Sequence, residues 1–505
     1  MVDFGGNIMN NKEWFENNEK KIPHDEVRTR YAPSPTGYMH IGNLRTALYS
    51  YLLSKSQGGK FILRIEDTDQ VRFVDGATDV ILKTLEMTGL DYDEGPVVGG
   101  EHGPYIQSER LPIYKEYAEK LIASGHAYYC FCTPDRLESL KDDKGIGGYD
   151  GHCRNLSKEE IDKNLAAGIP YVIRQKMPIE GTTSYYDEVY GEVSIENTEL
   201  RDQIMIKADG YPTYNFCHVV DDHLMGVTHV VRGNEYLTST PKYCLLYDAF
   251  GWKRPIYVHL PLLMGKDEDG KVSKLSKRHG AVSFQNLVAD GYLPEAIVNY
   301  IALLGWCPKD SNEEFFTLDQ LKTNFSMEGL SKSPAVFDYE KLKWFNSEYI
   351  KKMDEESYNA KALPILDELC ENYIDTKKLA GLLHTRISAF CEIKDQIEFI
   401  LKRLDMDSSL YTNKKNKTTP ENCKEVLIGC LPLLEATESW DNDTLFTLLK
   451  DYAISKEKKA GAVMWAIRIA IGRQGITPGG ATELMEVFGK NESLDRIRLA
   501  IDELS

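Results

Sequence analysis

The chain has 505 residues, so at roughly 100–200 residues per domain it holds about three to five domains. Hydrophobic content of 42% with 27% charged residues suits ordinary globular cores, and no apolar run approaches the roughly 18 residues that a membrane helix needs. A net charge of −18 excludes a uniformly basic surface, so any polyanionic partner must meet a local basic patch.

The opening MVDFGGNIMNNKEWFENNEKK is polar and lacks an apolar core segment, which is not the pattern of a signal peptide. Residues 1–25 read as an extension ahead of the first strand. The ten cysteines sit in a large chain without an export signal, which points to free thiols in a reducing cytosol.

Residues 27–31, VRTRY, alternate and read as a short strand that Pro33 and Pro35 end, because proline donates no ladder hydrogen bond. In HIGNLRTALYSYLL, Leu44, Ala47, Leu48, Tyr51 and Leu52 recur at helical spacing and predict an amphipathic helix. FILRI follows as the next strand. Strand, loop, helix and strand make a βαβ unit, whose parallel sheet places a ligand at the carboxyl ends of its strands. The loop PSPTG delivers the chain to a helix N-terminus, where exposed N–H groups and partial positive charge hold phosphate. His40 and Gly42 lie at that entry; His40 can donate to a phosphate oxygen, and Gly42 lets a flat ring approach the backbone.

From about 110 to 205 the texture changes to clustered Cys and Gly, then PYVIRQKMP, which reads as an insertion interrupting the nucleotide fold. Apolar, strand-rich sequence resumes at YPTYNFCHVVDDHLMGVTHVVRG. KVSKLSKRHG, residues 271–280, puts Lys274, Lys277 and Arg278 on a loop flanked by Ser and Gly, able to close over a pyrophosphate and neutralise its developing charge. Beyond 290 the pattern is almost all helical, as in YLPEAIVNYIALLGW and EVLIGCLPLLEAT, and KKNK at 414–417 reads as a solvated loop.

Either signal alone is ordinary: a surface histidine, a basic loop. Together and in this order they resemble class I aminoacyl-tRNA synthetases, HIGN matching the HIGH signature and KLSKR the KMSKS signature. RYAPSPTGYMHIGN, RIEDTD at 64–69, GPYIQSER at 103–110, the 209–233 segment and LLGW at 303–306 are together similar to bacterial glutamyl-tRNA synthetases. The resemblance runs from about 26 to 350 and more loosely onward, with Asn43 in place of the second histidine of HIGH. It implies a multidomain α/β protein. A Rossmann-type parallel-sheet catalytic domain would occupy 26–110 and 209–265, interrupted by an acceptor-end-binding insertion over 111–208. The KMSKS loop and stem-contact domain would span 266–350, and helical anticodon-binding domains 351–505. The implied activity is ATP-dependent ligation of L-glutamate to tRNA(Glu) by a cytosolic monomer, with Mg²⁺ travelling on ATP.

The resemblance also assigns residues. Arg30 would pair with the glutamate side-chain carboxylate, a task for bidentate arginine, with Ala32 and Ser34 on the same loop. Arg232 matches a second arginine near the substrate and ATP, and Glu66 the acidic group that receives the α-ammonium. Tyr214 and His218 match positions facing the amino acid. His40, Gly42 and Asn43, with Lys274, Leu275, Ser276, Lys277 and Arg278, would hold ATP, His40, Gly42, Lys274 and Lys277 carrying catalysis. No Ser-His-Asp triad is needed, because activation is positioning plus charge stabilisation.

Cys130 and Cys132 in CFC and Cys153 in YDGHC are three thiols of the right softness for zinc, although Cys-x-Cys is tighter than the usual spacing. Some relatives hold structural zinc at this insertion with a tyrosine or a histidine as fourth ligand. Tyr149 stands where the tyrosine would be, Asn155 occupies the histidine's place, and His152 is a spare candidate. The plain alternative is three free cysteines. Towards the C-terminus, AVMWAIRIAIGRQG carries Arg468 and Arg473 beside Trp465, either as an RNA face or as a core-facing helix. Arg386 in LLHTRISAF falls where the family reads the last anticodon base. The helical tail speaks against glutaminyl-tRNA synthetases, whose anticodon domains are β-barrels, and its length against the truncated paralogue that modifies a tRNA base. Survival of both signatures speaks against a non-catalytic scaffold. Whether tRNA(Gln) is also charged stays open.

Overall fold

The computed structural model describes residues 19, 21–23, 25–69, 71–72, 74–141, 148–266, 269–276, 282–309 and 311–504. Two compact units emerge, one of Met1–Leu287 with Val298–Asp338, the other of Val288–Ile297 with Tyr339–Ser505.

The first unit opens with the expected βαβ. Strand β1 (Arg28–Tyr31) pairs in parallel with β2 (Lys60–Leu63), and α1 (Ile41–Ser56) crosses between them. Gly59 makes the return possible: a Cβ there would sit 2.0 Å from Val27 O, and the next residue donates Lys60 N–H to that same oxygen at 2.8 Å. The sequence predicts a one-sided helix, but α1 is buried on most of its faces, Ser50 and Ser54 included. The sheet covers one side. On another, Tyr49 donates to Ala302 O and Leu304 O at 3.1 and 3.0 Å and packs at a tilt against the Phe325 ring. Ser50 and Ser54 satisfy their hydroxyls on carbonyls of the preceding helical turn, which is why polar residues fit a buried face.

The insertion builds a three-stranded sheet from β3 (Ala127–Cys130), β4 (Val172–Gln175) and β7 (Ile204–Ile206). A hairpin, β5 (Thr182–Asp187) with β6 (Gly191–Glu196), leaves that sheet and joins another. There the order is β6-β5-β9-β8, with β8 (His229–Gly233) and β9 (Ile256–Leu260) parallel. Two helices, α2 (Tyr214–Leu224) and α3 (Thr240–Phe250), bracket β8 in sequence. They share a core with Ile113, Tyr114, Tyr117 and Leu121 of helix Leu111–Ala123. So the segment 111–208 is woven into its neighbours at both a helix and a hairpin. Thr228 N–H donates to Arg28 O, which sets the entrance of β8 beside β1. The carboxyl ends of β1, β8 and β9 therefore open on one cleft. Downstream, β10 (Leu263–Lys266) pairs with β11 (Val272–Lys274) in a hairpin and in parallel with β12 (Ala335–Phe337).

The second unit is helical among its described residues. Its core gathers α4 (Thr376–Leu383), α5 (Ala460–Gly472) and α6 (Ala481–Glu503) around Leu379, Leu383, Ile467, Ile471 and Leu484. Arg473 closes α5 in the left-handed region at φ 52°, and its buried guanidinium binds Leu404 O and Glu503. Trp465 donates to Leu410 O. Both residues thus serve the core-facing reading of that helix, while Arg468 lines a cavity with Arg386.

Candidate active site

A cleft of about 770 Å³ lies where the strands end. Its walls hold Arg30, Ala32, Ser34, His40, Gly42, Asn43, Glu66, Tyr214, Arg232, Lys274 and Leu275, residues drawn from distant stretches of the sequence. Ser276 is described but does not line the cleft, and Lys277 and Arg278 lie outside the described residues.

At one end of the cleft, His40 is the N-cap of α1, and its Nδ1 accepts Gly42 N–H at 3.0 Å. An acceptor at Nδ1 fixes the neutral tautomer and leaves the proton on Nε2, free to donate. Burial first, and then the Lys274 charge, hold the His40 pKa below its usual value, so the ring stays neutral near pH 7. A Cβ on Gly42 would stand 3.2 Å from His40 Nδ1, a tight contact that would crowd the histidine's capping bond. Backbone bonds Ile41 N–H to Val282 O and Phe284 N–H to Met39 O stitch this entry to the chain beyond the basic loop.

The other end carries the amino-acid candidates. Arg30 is buried and donates through Nε to Asp222 Oδ1 at 3.0 Å and through Nη1 to Val231 O at 3.3 Å. Asp222 Oδ1 also receives Arg64 Nη1 at 2.8 Å, and Arg64 Nη2 reaches Glu66 Oε1 at 2.9 Å. Burial pushes the Glu66 carboxyl up to about 6, against the pull of Arg64 and Arg30. A buried carboxylate that is short of positive charge is a receptor for a cation. Behind it, Asp221 gathers Arg110 Nε, Gln107 Nε2 and the Tyr114 hydroxyl at 2.7 to 3.1 Å, and Arg64, 3.6 Å from Asp221 Oδ2, joins the acid pair of α2 into one network.

Tyr214 lines the cleft and stacks on His218, ring centroids 4.6 Å apart. His218 itself does not line the cleft. Its Nδ1 meets Tyr214 O at 2.6 Å, and burial drives its pKa down to about 3, so it is a neutral platform behind the tyrosine. Arg232 is buried among the Tyr236, Tyr243 and Tyr257 rings, 4.9 to 5.6 Å from their centroids. Its Nε and Nη2 are held by His259 and Thr240, and Nη1 has no hydrogen-bond partner among the described residues. Sequence reasoning missed Arg64, Asp222 and His259. The only signal they give is polarity inside apolar strand and helix patterns.

In the insertion, the sulfurs of Cys130, Cys132 and Cys153 lie within 4.8 Å of one another, Cys132 and Cys153 at 3.6 Å. Zn–S bonds of about 2.3 Å in a tetrahedron put sulfurs about 3.8 Å apart, so the three thiols fit that ion. Burial raises the Cys130 thiol, but the Cys132 backbone N–H, Arg174 and Tyr149 outweigh it and hold it below its ordinary value. The Tyr149 hydroxyl accepts Cys153 N–H at 2.8 Å and stands by Cys130. His152 is exposed on the adjoining turn.

Residues 26–344 match the model of the class I tRNA synthetases (E and Q), catalytic domain, and residues 339–501 match an anticodon binding domain. A glutamate–tRNA ligase of Clostridium novyi is 55% identical over 488 residues, covering 95% of this chain and 98% of that protein. One from Clostridium acetobutylicum is 53% identical over 485 residues, covering 95% and 99%. Among solved structures, a glutamate tRNA ligase from Elizabethkingia meningosepticum in complex with its amino acid superposes with a TM-score of 0.85 at 34% identity, over 95% of this chain and all of that one.

Proposed function

The chain belongs to the class I tRNA synthetases of the glutamate and glutamine type, and from that premise we propose that it is a glutamate–tRNA ligase. It activates L-glutamate with ATP, releasing pyrophosphate, and passes the glutamyl group from AMP to the 3′-terminal adenosine of tRNA(Glu). One observation carries the reading: a single cleft holds three buried arginines, Arg30 and Arg232 among them, a buried carboxyl pushed up to about 6, and a neutral histidine beside a lysine.

Glutamate offers two carboxylates and one ammonium, and the cleft offers the complement. Arg30 binds the side-chain carboxylate, because Asp222 and Val231 O fix its plane while the rest of its fork faces the cleft. Glu66 receives the α-ammonium, whose charge draws it into the ionised form. Arg232 stands alongside with one unspent N–H group, and Tyr214 closes the wall, backed by His218. The α-carboxylate attacks the α-phosphorus in line with the departing pyrophosphate. His40 Nε2–H and the ammonium of Lys274 neutralise the charge that develops there, aided by Mg²⁺ carried on the triphosphate. Asn43 and Leu275 complete the wall around ATP, and Lys277 and Arg278 belong to the same basic motif.

The domain assignment follows the same reading: residues 26–110 and 209–265 form the catalytic fold, 111–208 the acceptor-end insertion, 266–350 the stem-contact segment and 351–505 the anticodon region. Structural zinc on Cys130, Cys132 and Cys153 with the Tyr149 oxygen would cross-link two loops of the insertion; the sulfur spacing supports it. Arg386, which lines a cavity of about 440 Å³ with Arg468, reads the last anticodon base. A cytosolic monomer belongs to the same family reading; the ten cysteines are unpaired, as suits a reducing compartment, and no helix among the described residues is long and apolar enough to cross a membrane.

Charging purified tRNA(Glu) and tRNA(Gln) with labelled glutamate and glutamine tests the activity. Glutamyl-tRNA(Glu) is the expected product. Failure to charge any tRNA with glutamate would contradict the reading, and the tRNA(Gln) arm measures its breadth.

A further inference from the structure

Arg232 is a cleft arginine held by two uncharged side-chain acceptors, and what holds it reaches into the insertion. Its Nε donates to His259 Nε2 at 3.1 Å and its Nη2 to Thr240 Oγ1 at 2.7 Å. His259 can accept from an N–H only if its own proton is on the other nitrogen. There, Nδ1 lies 2.6 Å from Asp187 Oδ2, and both residues are fully buried. Asp187 is in turn immobilised: Oδ1 accepts Val189 N–H and Tyr190 N–H at 3.0 and 2.9 Å, and Oδ2 also accepts His259 N–H at 3.1 Å. Every hydrogen bond offered to this carboxylate comes from a donor, so it leaves His259 one tautomer.

We propose that Asp187 and His259 are positioning residues for glutamate recognition: the carboxylate at the end of β5 fixes the proton of His259 on Nδ1, and the bare Nε2 turns Arg232 toward the amino acid. This rests on the reading that Arg232 contacts glutamate. It also means that a residue of the inserted segment helps to shape the substrate site.

The isosteric change Asp187→Asn discriminates. The two turn N–H groups keep the amide oxygen, so its NH₂ faces His259 Nδ1. That nitrogen must then accept, the ring proton moves to Nε2, and it opposes Arg232 Nε–H. His259→Leu removes the acceptor outright, whereas His259→Gln restores an oxygen in its place. The measurement is ATP–pyrophosphate exchange with tRNA present, giving KM for glutamate, KM for ATP and kcat, alongside thermal melting.

The expected result is a rise of about tenfold or more in KM for glutamate for Asp187→Asn and His259→Leu, with KM for ATP unchanged. His259→Gln should recover most of the loss, and Asp187→Asn should add nothing in an Arg232→Gln background. If Asp187→Asn melts at the assay temperature, the His259 pair carries the test. Should Arg232→Gln raise KM for glutamate while His259→Leu does not, or should His259→Gln be as impaired as His259→Leu, the positioning role is overturned. An Arg232→Gln enzyme with unchanged KM for glutamate would instead remove Arg232 from the substrate site, and the proposal with it.

Discussion

Glu66 shows how one buried side chain trades stability for binding. Its carboxyl titrates near 6 in the folded protein because burial outweighs Arg64 and Arg30. The folded state therefore binds this proton more tightly than the unfolded chain, and stability from this group falls as pH rises from about 4.5 to about 6. Glu66→Gln is expected to stabilise the protein at pH 7.5 by about 1–2 kcal/mol, read as a higher melting temperature. The same change should cost at least about tenfold in kcat/KM for glutamate, because the α-ammonium loses its counter-ion. In the parent enzyme kcat/KM for glutamate should fall as pH drops below about 6, and this limb should flatten in Glu66→Gln. An unchanged acid limb in the variant would detach Glu66 from the ammonium. Arg30→Lys tests the opposite charge. Lysine cannot keep the Asp222 and Val231 bonds and still present a fork, so KM for glutamate should rise by about 100-fold with KM for ATP preserved.

At the scale of elements, the site depends on where chain turns deliver side chains. Gly42→Ala sets a Cβ 3.2 Å from His40 Nδ1 and displaces the ring from its capping bond. Loss of an N-cap costs about 1 kcal/mol, so melting should shift modestly while the rate of pyrophosphate exchange falls more steeply. Much of this was legible in the sequence. The first strand, crossover helix and second strand follow from alternation and helical spacing, and PSPTG marks the loop that opens the cleft. The roles of Arg64, Asp222 and His259 were not, because a polar residue in a strand or helix gives no sign, in local sequence, of which distant group it meets. Their meaning comes chiefly from partners as far as 192 positions away. The hairpin β5–β6 was likewise hidden inside a segment whose composition marks it as an insertion, because strand pairing is non-local and composition is not.

At the scale of the molecule, two cores divide the work. A change in the helical unit should leave activation untouched: Arg386→Gln is expected to relax the choice between glutamate and glutamine tRNAs without altering KM for ATP or glutamate. Unchanged discrimination would remove Arg386 from the anticodon. In the insertion, elemental analysis should find one zinc per chain, lost in Cys132→Ser, with lower thermal stability in the metal-free protein. The overall acidity of −18 is no obstacle to RNA binding, since only the contact faces need be basic. The central claim is that the cleft selects glutamate and activates it on ATP. It is tested most directly by ATP–pyrophosphate exchange with glutamate, glutamine or no amino acid, each with and without total tRNA. Exchange that requires glutamate and appears when tRNA is added is the predicted result; absence of glutamate-dependent exchange under every condition, from folded protein, would contradict it.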